Sequence, residues 1–416
     1  MRGPRNGPRT PPTADNREAG PRTPPGRGQP CVGGPPVTIR HIVSCRGWSS
    51  DAYWAARAVV ELDRQGHDVT LVCKRSSESR VMRPAREAGI ERLETLHLSS
   101  GVSPVRDALD LRQLIAWLPQ TQVFHVHRGK EHWLAALANR TSNPPKPIVR
   151  TRHIVQPIRA HALNRWLYGS ATDLVVTVND AIRRQLLAGG LSADDRVVAL
   201  PGGVDTERYR PDAPSAHGLD PRGLLKVPPE VPLIGLVGGF RVMKGHETVV
   251  AAAARLAAAG LPFHLLFIGQ GPYADRVRSL VQAAGLADRV SLVGFVDDLP
   301  VMMAALDVAL YAPLESDGMS RVLWEYLATA VPVVATRVGV VPEVLEDGVT
   351  ALLAPAGEPV PIAAAIERLL RDRALRNRVG AAGAELVRER FSGARLAERL
   401  TALYLSLAVS SVHPPS

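Results

Sequence analysis

The feature that most constrains this fold is a regular alternation of short apolar segments with segments of helical length, and it occurs twice. In the first half, runs such as TIRHIVSC, DVTLVC and QVFHVH have the length and β-branched content of buried strands. A stretch rich in Pro, Gly and Asp at 201–232 interrupts the pattern, which restarts with LIGLVG and FHLLFIG. Parallel strands joined through helices form doubly wound sheets. The sequence therefore predicts an α/β protein with two facing, Rossmann-like domains and a cleft between them.

Changes in composition predict where these domains begin and end. The tail at 1–36 is rich in Pro, Gly and Arg, has almost no large apolar residues and is predicted to be disordered. The other predicted segments are a first domain, a linker, a second domain and a C-terminal helix with its tail, at 37–210, 211–228, 229–395 and 396–416. We expect the C-terminal helix to cross back to the first domain.

Charge and composition narrow the class of protein. The net charge of +10 comes from the tail and the first half, because residues 211–416 hold slightly more acidic than basic residues. A basic surface attracts lipid headgroups, phosphorylated acceptors or nucleic acid, but the chain lacks the interleaved aromatic residues and modules of nucleic-acid-binding proteins. The three cysteines show neither metal-ligand spacing nor an even disulfide framework, and no apolar run approaches the ~20 residues of a membrane span. The sequence thus favours a cytoplasmic protein without a nucleic-acid partner.

The stretch 313–353 contains two carboxylates in a setting that suits a phosphorylated sugar ligand. Asp317 lies in a predicted loop, and Glu325 lies on the predicted helix that follows, before Pro332 ends it. Backbone N–H groups at a helix start bind anions such as a nucleotide diphosphate, and carboxylates accept hydrogen bonds from ribose or hexose hydroxyls. Two exposed acids at a solvated helix start are the alternative that these residues leave open.

A second candidate site is the loop GGFRVMKGHE, which follows the strand LIGLV. Its glycines let the backbone approach a ligand, and Arg241 and Lys244 supply positive charge where a helix begins. The sequence has neither the GxGxxG of nicotinamide dehydrogenases nor the GxxxxGK[ST] of P-loop enzymes at the required place, which disfavours both classes.

The run HVHRGKEH is a third candidate. His125 and His127 share one face of a strand end, where cleft residues are expected, but no spacing completes a metal site with His132. A structural role for either histidine is the alternative.

Five motifs follow one another over about 195–355: VVALPGGVDTERYRP, VGGFRVMKGH, LLFIGQGPYADRVRSL, RVSLVGFVDDLPVMMAALDVALY and ESDGMSRVLWEYLATAVPVVATRVGVVPEVLEDGVTALL. In order and spacing they resemble the group 1 (family 4-like) type of retaining, nucleotide-sugar-dependent glycosyltransferases with the GT-B fold. The first half matches more loosely, through HVH and GHDVTLV. The resemblance implies two Rossmann-like domains and transfer of a sugar with its anomeric configuration retained. It also implies that neither a metal nor another cofactor takes part.

The resemblance further implies roles for individual residues. Lys244 would bind the donor diphosphate, Glu325 would hold the ribose hydroxyls, and Asp317 would contact the transferred sugar. The other matches are His127 near the reacting sugar, Gly47 near the donor phosphate, Gly318 and Met319 as backbone donors, and Gly294, Phe295 and Val296 at the base pocket. The residues matched to the reaction itself are His127, Asp317 and Lys244.

Two positions depart from the family pattern. The family has an arginine five residues before the lysine, where this chain has Gly239, and Arg241 is the candidate replacement. Asp317 stands where the family usually has Glu, which points to a different donor sugar, and Glu315 competes for its role.

The first domain of such enzymes usually receives the acceptor. Together with the basic first half, this predicts a glycan or lipid-linked acceptor in bacterial cell-surface polysaccharide or lipopolysaccharide synthesis. Basic and apolar residues that would suit the inner face of the cytoplasmic membrane cluster at Arg150, Arg152, His153, Arg159, His161, Arg165, Trp166 and Leu167. An ordinary Arg-rich solvated surface is the alternative for this cluster. For the whole chain, the alternatives are a GT-B sugar-nucleotide epimerase and a non-catalytic sugar-nucleotide-binding protein.

Overall fold

The computed structural model of the protein describes residues 34–215, 218–316 and 321–410. Almost all of the tail predicted at 1–36 lies outside the described residues, as do Asp317, Gly318 and Met319. Within the described ranges, the chain forms two parallel sheets, one of 7 and one of 6 strands.

The first sheet has the order β3-β2-β1-β4-β5-β6-β7, and every pairing in it is parallel. Its strands are β1 Thr38–Val43, β2 Asp68–Lys74, β3 Leu93–Leu96, β4 Val123–Val126, β5 Ile148–Arg152, β6 Leu174–Thr177 and β7 Val197–Ala199. The helices that accompany them are α1 Ser50–Arg64, α2 Arg83–Glu87, α3 Pro104–Trp117, α4 Gly129–Asn139, α5 Ala162–Arg165 and α6 Asp180–Ala188. Because the strands carry buried Val, Ile and Leu side chains on both faces, both faces of the sheet must be covered by helices.

The second sheet has the order β10-β9-β8-β11-β12-β13 and is also wholly parallel in the described residues. Its strands are β8 Leu233–Val237, β9 His264–Ile268, β10 Val290–Val293, β11 Val308–Tyr311, β12 Val333–Thr336 and β13 Leu352–Ala354. The helices are α7 Pro221–Leu225, α8 His246–Ala258, α9 Ala274–Ala283, α10 Leu299–Ala304, α11 Arg321–Ala328, α12 Val341–Val344, α13 Pro359–Arg371, α14 Arg373–Leu386 and α15 Gly393–Ser410. The predicted pair of doubly wound, Rossmann-like domains with the GT-B architecture is confirmed.

Each sheet has a topological switch point, where the strand order reverses. In the first sheet it lies between β1 and β4, and in the second between β8 and β11. Loops that leave the carboxyl ends of the strands diverge there and open a crevice for ligands. Three of the candidate motifs follow these strands: the loop after β1, HVH at the end of β4 and GGFRVMK after β8.

The last helix, α15, crosses back to the first domain. Its apolar side chains Leu396, Leu400 and Tyr404 join the core that α1 forms with the first sheet. At its start, the N–H of Gly393 donates to the carbonyl of Val204 at 2.8 Å, and a Cβ on Gly203 would lie only 2.7 Å from Gly393 Cα. The close backbone approach at the crossing therefore needs glycine at position 203. Among the described residues, no helix has both the length and the apolar character needed to span a bilayer.

Candidate active site

The second-domain edge is built from two glycine-rich loops in direct backbone contact. The N–H of Gly238, in the loop after β8, donates to Ile268 O at 2.9 Å, and that of Phe240 donates to Gln270 O at 3.1 Å. A Cβ on Gly269 would lie 2.1 Å from the carbonyl oxygen of Gly238, so this approach admits no side chain. The loops therefore present bare backbone beyond the carboxyl ends of β8 and β9.

Lys244 ends a single 3-10 turn, Val242–Lys244, that precedes α8. The next residue, Gly245, has φ +73°, and a Cβ there would lie 1.9 Å from the carbonyl oxygen of Ala312. Glycine at this position lets the turn pack onto the segment after β11, where the N–H of Leu314 donates to Met243 O at 2.8 Å. The lysine is thus held next to the stretch that leads into α11.

The two cations of this loop fold over its glycine pair. A Cβ placed on Gly238 would lie 3.9 Å from Cγ and Cδ of Lys244, and one on Gly239 would lie 4.0 Å from Nε of Arg241. Arg241 therefore lies beside Gly239, where the sequence resemblance expects an arginine, and its role as the replacement stays a prediction. His246 follows and stacks on Phe240, and its burial lowers its pKa to about 4, so that the histidine stays neutral near pH 7. The positive charge here comes from the lysine and the arginine.

Glu325 lies on α11 and faces the boundary between the domains. Its side chain is 1% exposed, and its Oε1 pairs with Nε of Arg321 at 3.2 Å. Burial raises the pKa of Glu325, while Arg321 and the nearby Tyr209 hydroxyl oppose this rise. The guanidinium of Arg321 lies 4.9 Å from the centre of the Tyr53 ring on α1 of the first domain. Within the described part of the chain, Oε2 of Glu325 has no hydrogen-bond partner.

The predicted base pocket lies after β10. Phe295 is 80% exposed, which leaves an aromatic face available for stacking. A Cβ on Gly294 would lie 3.4 Å from Nε2 of Gln270, so this glycine adjoins the second of the two glycine-rich loops. Val296 is partly buried against the core beneath. Glu315 is exposed in the segment before α11, and Asp317, Gly318 and Met319 lie outside the described residues.

In the first domain, His127 is fully buried in a stack of imidazole rings. His41, directly opposite His125 in the strand register, stacks on it with ring centres 4.4 Å apart, and His125 and His127 stack at 4.7 Å. Nε2 of His127 lies 3.1 Å from Nδ1 of His41, and Nδ1 lies 3.1 Å from Nε2 of His153. The sequence analysis did not mark His41 and assigned His153 to a basic surface cluster, because only the strand register brings the two rings to His127.

This stack is poorly arranged for a metal ion, although nitrogen atoms of His41, His125 and His127 lie within 4.8 Å of one another. The planes of His125 and His127 differ by only 6°, so their in-plane lone pairs run side by side and do not converge on one point. Tyr404 and Thr151 occupy the nitrogens of His125, at 2.6 and 2.5 Å. Metal-free action stays a prediction.

The loop after β1 contains Gly47, the glycine predicted to lie near the donor phosphate. A Cβ on Gly47 would meet nothing within 4 Å, and the role of this glycine beside the donor stays a prediction. At the start of α1, Asp51 pairs with Nη2 of Arg128 at 2.5 Å. Burial opposes ionisation of Asp51, but His153, Ser49 and Arg128 outweigh it and hold its pKa at about 2. A fixed carboxylate thus lies at the first-domain edge of the cleft.

Comparison with known proteins agrees with this architecture. The model of a family described as Glycosyltransferase Family 4 matches residues 53–208, and that of one described as Glycosyl transferases group 1 matches residues 231–372. The solved glycosyltransferase from Rickettsia africae ESF-5 superposes with a TM-score of 0.78 at 18% identity, covering 89% of this chain and 98% of that one. At this identity the likeness establishes the fold.

Two curated relatives show closer sequence similarity. The GDP-mannose-dependent alpha-(1-6)-phosphatidylinositol monomannoside mannosyltransferase of Mycobacterium tuberculosis is 31% identical over 252 residues, which cover 59% of this chain and 64% of the relative. The lipopolysaccharide core biosynthesis glycosyltransferase LpsE of Rhizobium meliloti is 31% identical over 189 residues, covering 45% and 53%. The chain therefore matches less than two thirds of either relative's length. Because the two family matches fall on both domains and the motif order agrees with them, the chain belongs to the group 1 glycosyltransferases.

Proposed function

We propose that this protein is a retaining glycosyltransferase that moves a sugar from a nucleotide-sugar donor to a glycan or lipid-linked acceptor. The observation that carries the proposal is the pair of cations, Lys244 and Arg241, folded over two glycines after β8. Open α/β sheets bind ligands at this kind of switch point, and bare backbone with positive charge suits a diphosphate. The names of the two relatives, one for a phosphatidylinositol mannoside and one for a lipopolysaccharide core, support an acceptor of bacterial cell-surface glycan synthesis.

In the proposed reaction, the bond from the anomeric carbon to the donor phosphate oxygen breaks. The acceptor oxygen bonds to that carbon on the same face, and its proton passes to the departing phosphate. Negative charge develops on the nucleoside diphosphate, where Lys244, Arg241 and the N-terminus of α8 stabilise it. The unpartnered Oε2 of Glu325 is assigned to a ribose hydroxyl. No protein carboxylate acts as nucleophile in this scheme.

Donor binding is the first test. Thermal unfolding with UDP-, GDP- and ADP-sugars identifies the donor, since a specific ligand stabilises the folded protein by mass action. Lys244→Ala should weaken binding of that donor by about 1.5–3 kcal/mol, the cost of one charged hydrogen bond. Arg255→Ala changes an exposed cation farther along α8 and is the matched control. If calorimetry gives Lys244→Ala the affinity of the unchanged protein, Lys244 is not a donor ligand.

Retention and metal independence need separate tests. The anomeric configuration of the product, read from its proton coupling constants, should equal that of the donor, and an inverted product would refute a retaining mechanism. Activity should survive an excess of chelator. Complete loss that Mn²⁺ restores would instead make the metal part of the enzyme.

We further propose that the first domain docks on an anionic membrane surface at the carboxyl edge of its sheet. Two apolar side chains before and at the start of α3, Val102 and Val105, are 89% and 74% exposed, and Arg106 beside them is also exposed. Exposed Ile154 and Leu163 accompany exposed cations in the loop after β5 and in α5, namely Arg159 and Arg165. Apolar residues mixed with cations are typical of interfacial binding.

The cluster proposed from the sequence is only partly available for this role. Arg150, Arg152 and His153 are buried beneath the edge and cannot reach a membrane, so the part of the prediction that used them is wrong. Arg159, His161 and Arg165 are exposed.

Vesicle binding tests the docking proposal. The protein should co-sediment with vesicles rich in phosphatidylglycerol but not with phosphatidylcholine vesicles, and high salt should release it. Val102→Ser with Val105→Ser should reduce binding, whereas Leu224→Ser, an exposed apolar residue on α7, should not. Absence of co-sedimentation at low salt would refute docking on a membrane, and it would not bear on the proposed donor site.

A further inference from the structure

Three adjacent segments at the carboxyl edge of the first sheet bring two cations to one hydroxyl group. Strands β3, β2 and β1 are neighbours and run parallel, so the segments that follow them leave the sheet at the same edge. Arg46 follows β1, Lys74 ends β2, and Ser100 lies in the loop after β3. Nη2 of Arg46 donates to Ser100 Oγ at 2.9 Å, and Nζ of Lys74 donates to the same oxygen at 3.3 Å. Two positive charges therefore converge on a single uncharged oxygen.

No carboxylate balances this pair of cations. Among the described side chains, Arg46 and Lys74 form no ion pair, and Ser100 Oγ is the polar partner of both. Asp107, at the start of α3, instead pairs with Nζ of Lys130 at 2.5 Å. Because both cationic nitrogens lie within 3.3 Å of one atom, the two charges repel each other. An anion bound between them would remove this repulsion.

The loop after β3 is held in a strained conformation. Leu98 has φ +42°, a left-handed value that is costly for a residue with a side chain. The carboxylate of Asp110, which is 1% exposed, accepts hydrogen bonds from the N–H groups of His97 at 2.7 Å and Leu98 at 2.8 Å. These bonds fix the loop just before Ser99 and Ser100. Backbone strain that the surrounding structure maintains in this way is typical of ligand-binding sites.

Ser99 adds an unsatisfied polar group to the same loop. It is 9% exposed, and its Oγ is buried without a hydrogen-bond partner among the described residues. A buried hydroxyl without a partner is costly and needs an explanation. Ser99 directly precedes the serine that Arg46 and Lys74 contact, so an oxygen of a ligand bound to these cations would supply the missing partner.

The chemistry of these groups suits a doubly charged phosphate group. Near pH 7 a phosphate monoester carries a charge of about −1.5 to −2 and presents three acceptor oxygens. The guanidinium of Arg46 can bind two of these oxygens at once, and the ammonium of Lys74 acts as a compact point charge. A carboxylate, with a single negative charge, would balance only one of the two cations.

The position of this cluster relates it to the acceptor. Arg46 directly precedes Gly47, the glycine predicted to lie near the donor phosphate. Exposed Val102 and Val105 follow the two serines in the chain and belong to the proposed membrane-docking surface. The loops that carry the cluster thus connect the cleft with that surface, as a subsite for the phosphate of a lipid-linked acceptor would require.

We propose that Arg46, Lys74, Ser99 and Ser100 form a phosphate-binding subsite, and that the acceptor carries a doubly charged phosphate group. The role of the subsite in acceptor binding rests on the proposed transfer reaction, whereas phosphate binding at these residues does not. The phosphate belongs either to a lipid or to a soluble sugar phosphate, and the two sources are separated as follows.

Vesicles test the lipid source with the full-length protein. At equal negative charge, the protein should bind vesicles with phosphatidic acid, whose headgroup is a phosphate monoester, about tenfold more tightly than vesicles with phosphatidylglycerol. Arg46→Gln with Lys74→Gln should abolish this preference. Arg75→Gln with Arg106→Gln removes two other exposed cations of the same edge and is the matched control. It should weaken binding to both kinds of vesicle alike and keep the preference.

Thermal unfolding tests the soluble source. Glucose 6-phosphate should then raise the melting temperature, and vesicles should show no preference for phosphatidic acid. Arg46→Gln with Lys74→Gln should remove the rise, whereas Lys244→Ala should keep it. Either result supports the subsite and assigns the source of the phosphate. If neither the vesicle preference nor the thermal shift depends on Arg46 and Lys74, these residues do not bind phosphate.

Kinetics test whether the subsite serves the acceptor. Arg46→Gln and Lys74→Gln should each raise the acceptor KM about tenfold and leave the donor KM unchanged. Ser99→Ala should raise it about threefold, whereas Ser192→Ala, which removes another buried hydroxyl without a partner in the described residues, should not change it. A raised donor KM with an unchanged acceptor KM would overturn the acceptor role. Absence of any sugar transfer would refute the proposed function, and the vesicle and melting results would still decide whether the subsite binds phosphate.

Discussion

The two carboxyl edges that face the cleft are built in opposite ways. In the second domain, backbone groups of two glycine-rich loops touch each other, and Lys244 and Arg241 come from one short segment of sequence. In the first domain, the edge rests on buried side chains from three strands and from α15, far apart in sequence. Local backbone geometry can therefore specify one half of a site, while strand register and a distant helix specify the other.

The largest effect that should separate the two regions is the dependence of stability on pH. Burial holds the pKa of His41 and His153 at about 3, whereas unfolded histidine titrates near 6.5. The unfolded chain thus binds protons that the folded chain does not, so stability is lost as pH falls below about 6.5. Each such histidine contributes a loss of about 1.4 kcal/mol per pH unit. His125 and His127 act in the same direction, because burial also lowers the pKa of each.

Urea unfolding between pH 7.5 and pH 5 measures this loss. His153→Gln should reduce the slope of the unfolding free energy against pH by about 1.4 kcal/mol per pH unit, the contribution of one proton. A free energy of unfolding that stays constant down to pH 5 would show that the histidines are not buried as neutral rings.

A backbone test applies to the second-domain edge. Gly245 and Gly285 both have positive φ, +73° and +67°, but a Cβ on Gly245 would lie 1.9 Å from Ala312 O, whereas Gly285 has nothing within 4 Å. Gly245→Ala should therefore lower the free energy of unfolding by about 3 kcal/mol through strain and clash, and Gly285→Ala by about 1 kcal/mol through strain alone. Thermal denaturation compares the two. Equal effects would mean that the turn of Lys244 is not held by close backbone packing.

This contrast also explains what the sequence could reveal. The strand–helix alternation is periodic, and both doubly wound sheets follow from it. Lys244 could be placed beside glycines because they lie within seven residues of one another along GGFRVMK. The partners of His127 could not be found this way, because His41 and His153 become neighbours only through the pairing of β1, β4 and β5. Tyr404 looked like an ordinary residue of a packing helix, and no local pattern marks its hydroxyl.

Glu325 tests whether the second-domain site also depends on a buried side chain. Glu325→Gln keeps the shape but removes the charge that Arg321 pairs with at 3.2 Å, and donor affinity should fall by about 2 kcal/mol if a ribose hydroxyl bonds this carboxylate. Glu367→Gln breaks another ion pair between residues four positions apart, that of Glu367 with Arg371 at 2.8 Å on α13, and serves as the control. Calorimetry with the identified donor decides. Unchanged affinity would assign Glu325 to the domain boundary alone.

The smallest expected effect concerns the contact that holds the two edges face to face. The carboxylate of Glu343, on α12 of the second domain, accepts hydrogen bonds from the N–H groups of Asp180 at 3.1 Å and Ala181 at 3.2 Å, in the first turn of α6 of the first domain. Since a carboxylate at a helix N-terminus contributes about 1 kcal/mol, Glu343→Ala should shift the domains toward a more open arrangement without unfolding either.

Small-angle scattering would register this shift as a larger radius of gyration for Glu343→Ala without ligand, and saturating donor should restore the compact form. Glu346→Ala removes an exposed carboxylate just after α12 and is the matched control. A radius that matches that of the control would mean that the Glu343 contact does not hold the two edges at their distance. In that case the separation of the domains would depend on their other contacts, which include α15 packed on the first-domain core and Arg321 against the Tyr53 ring.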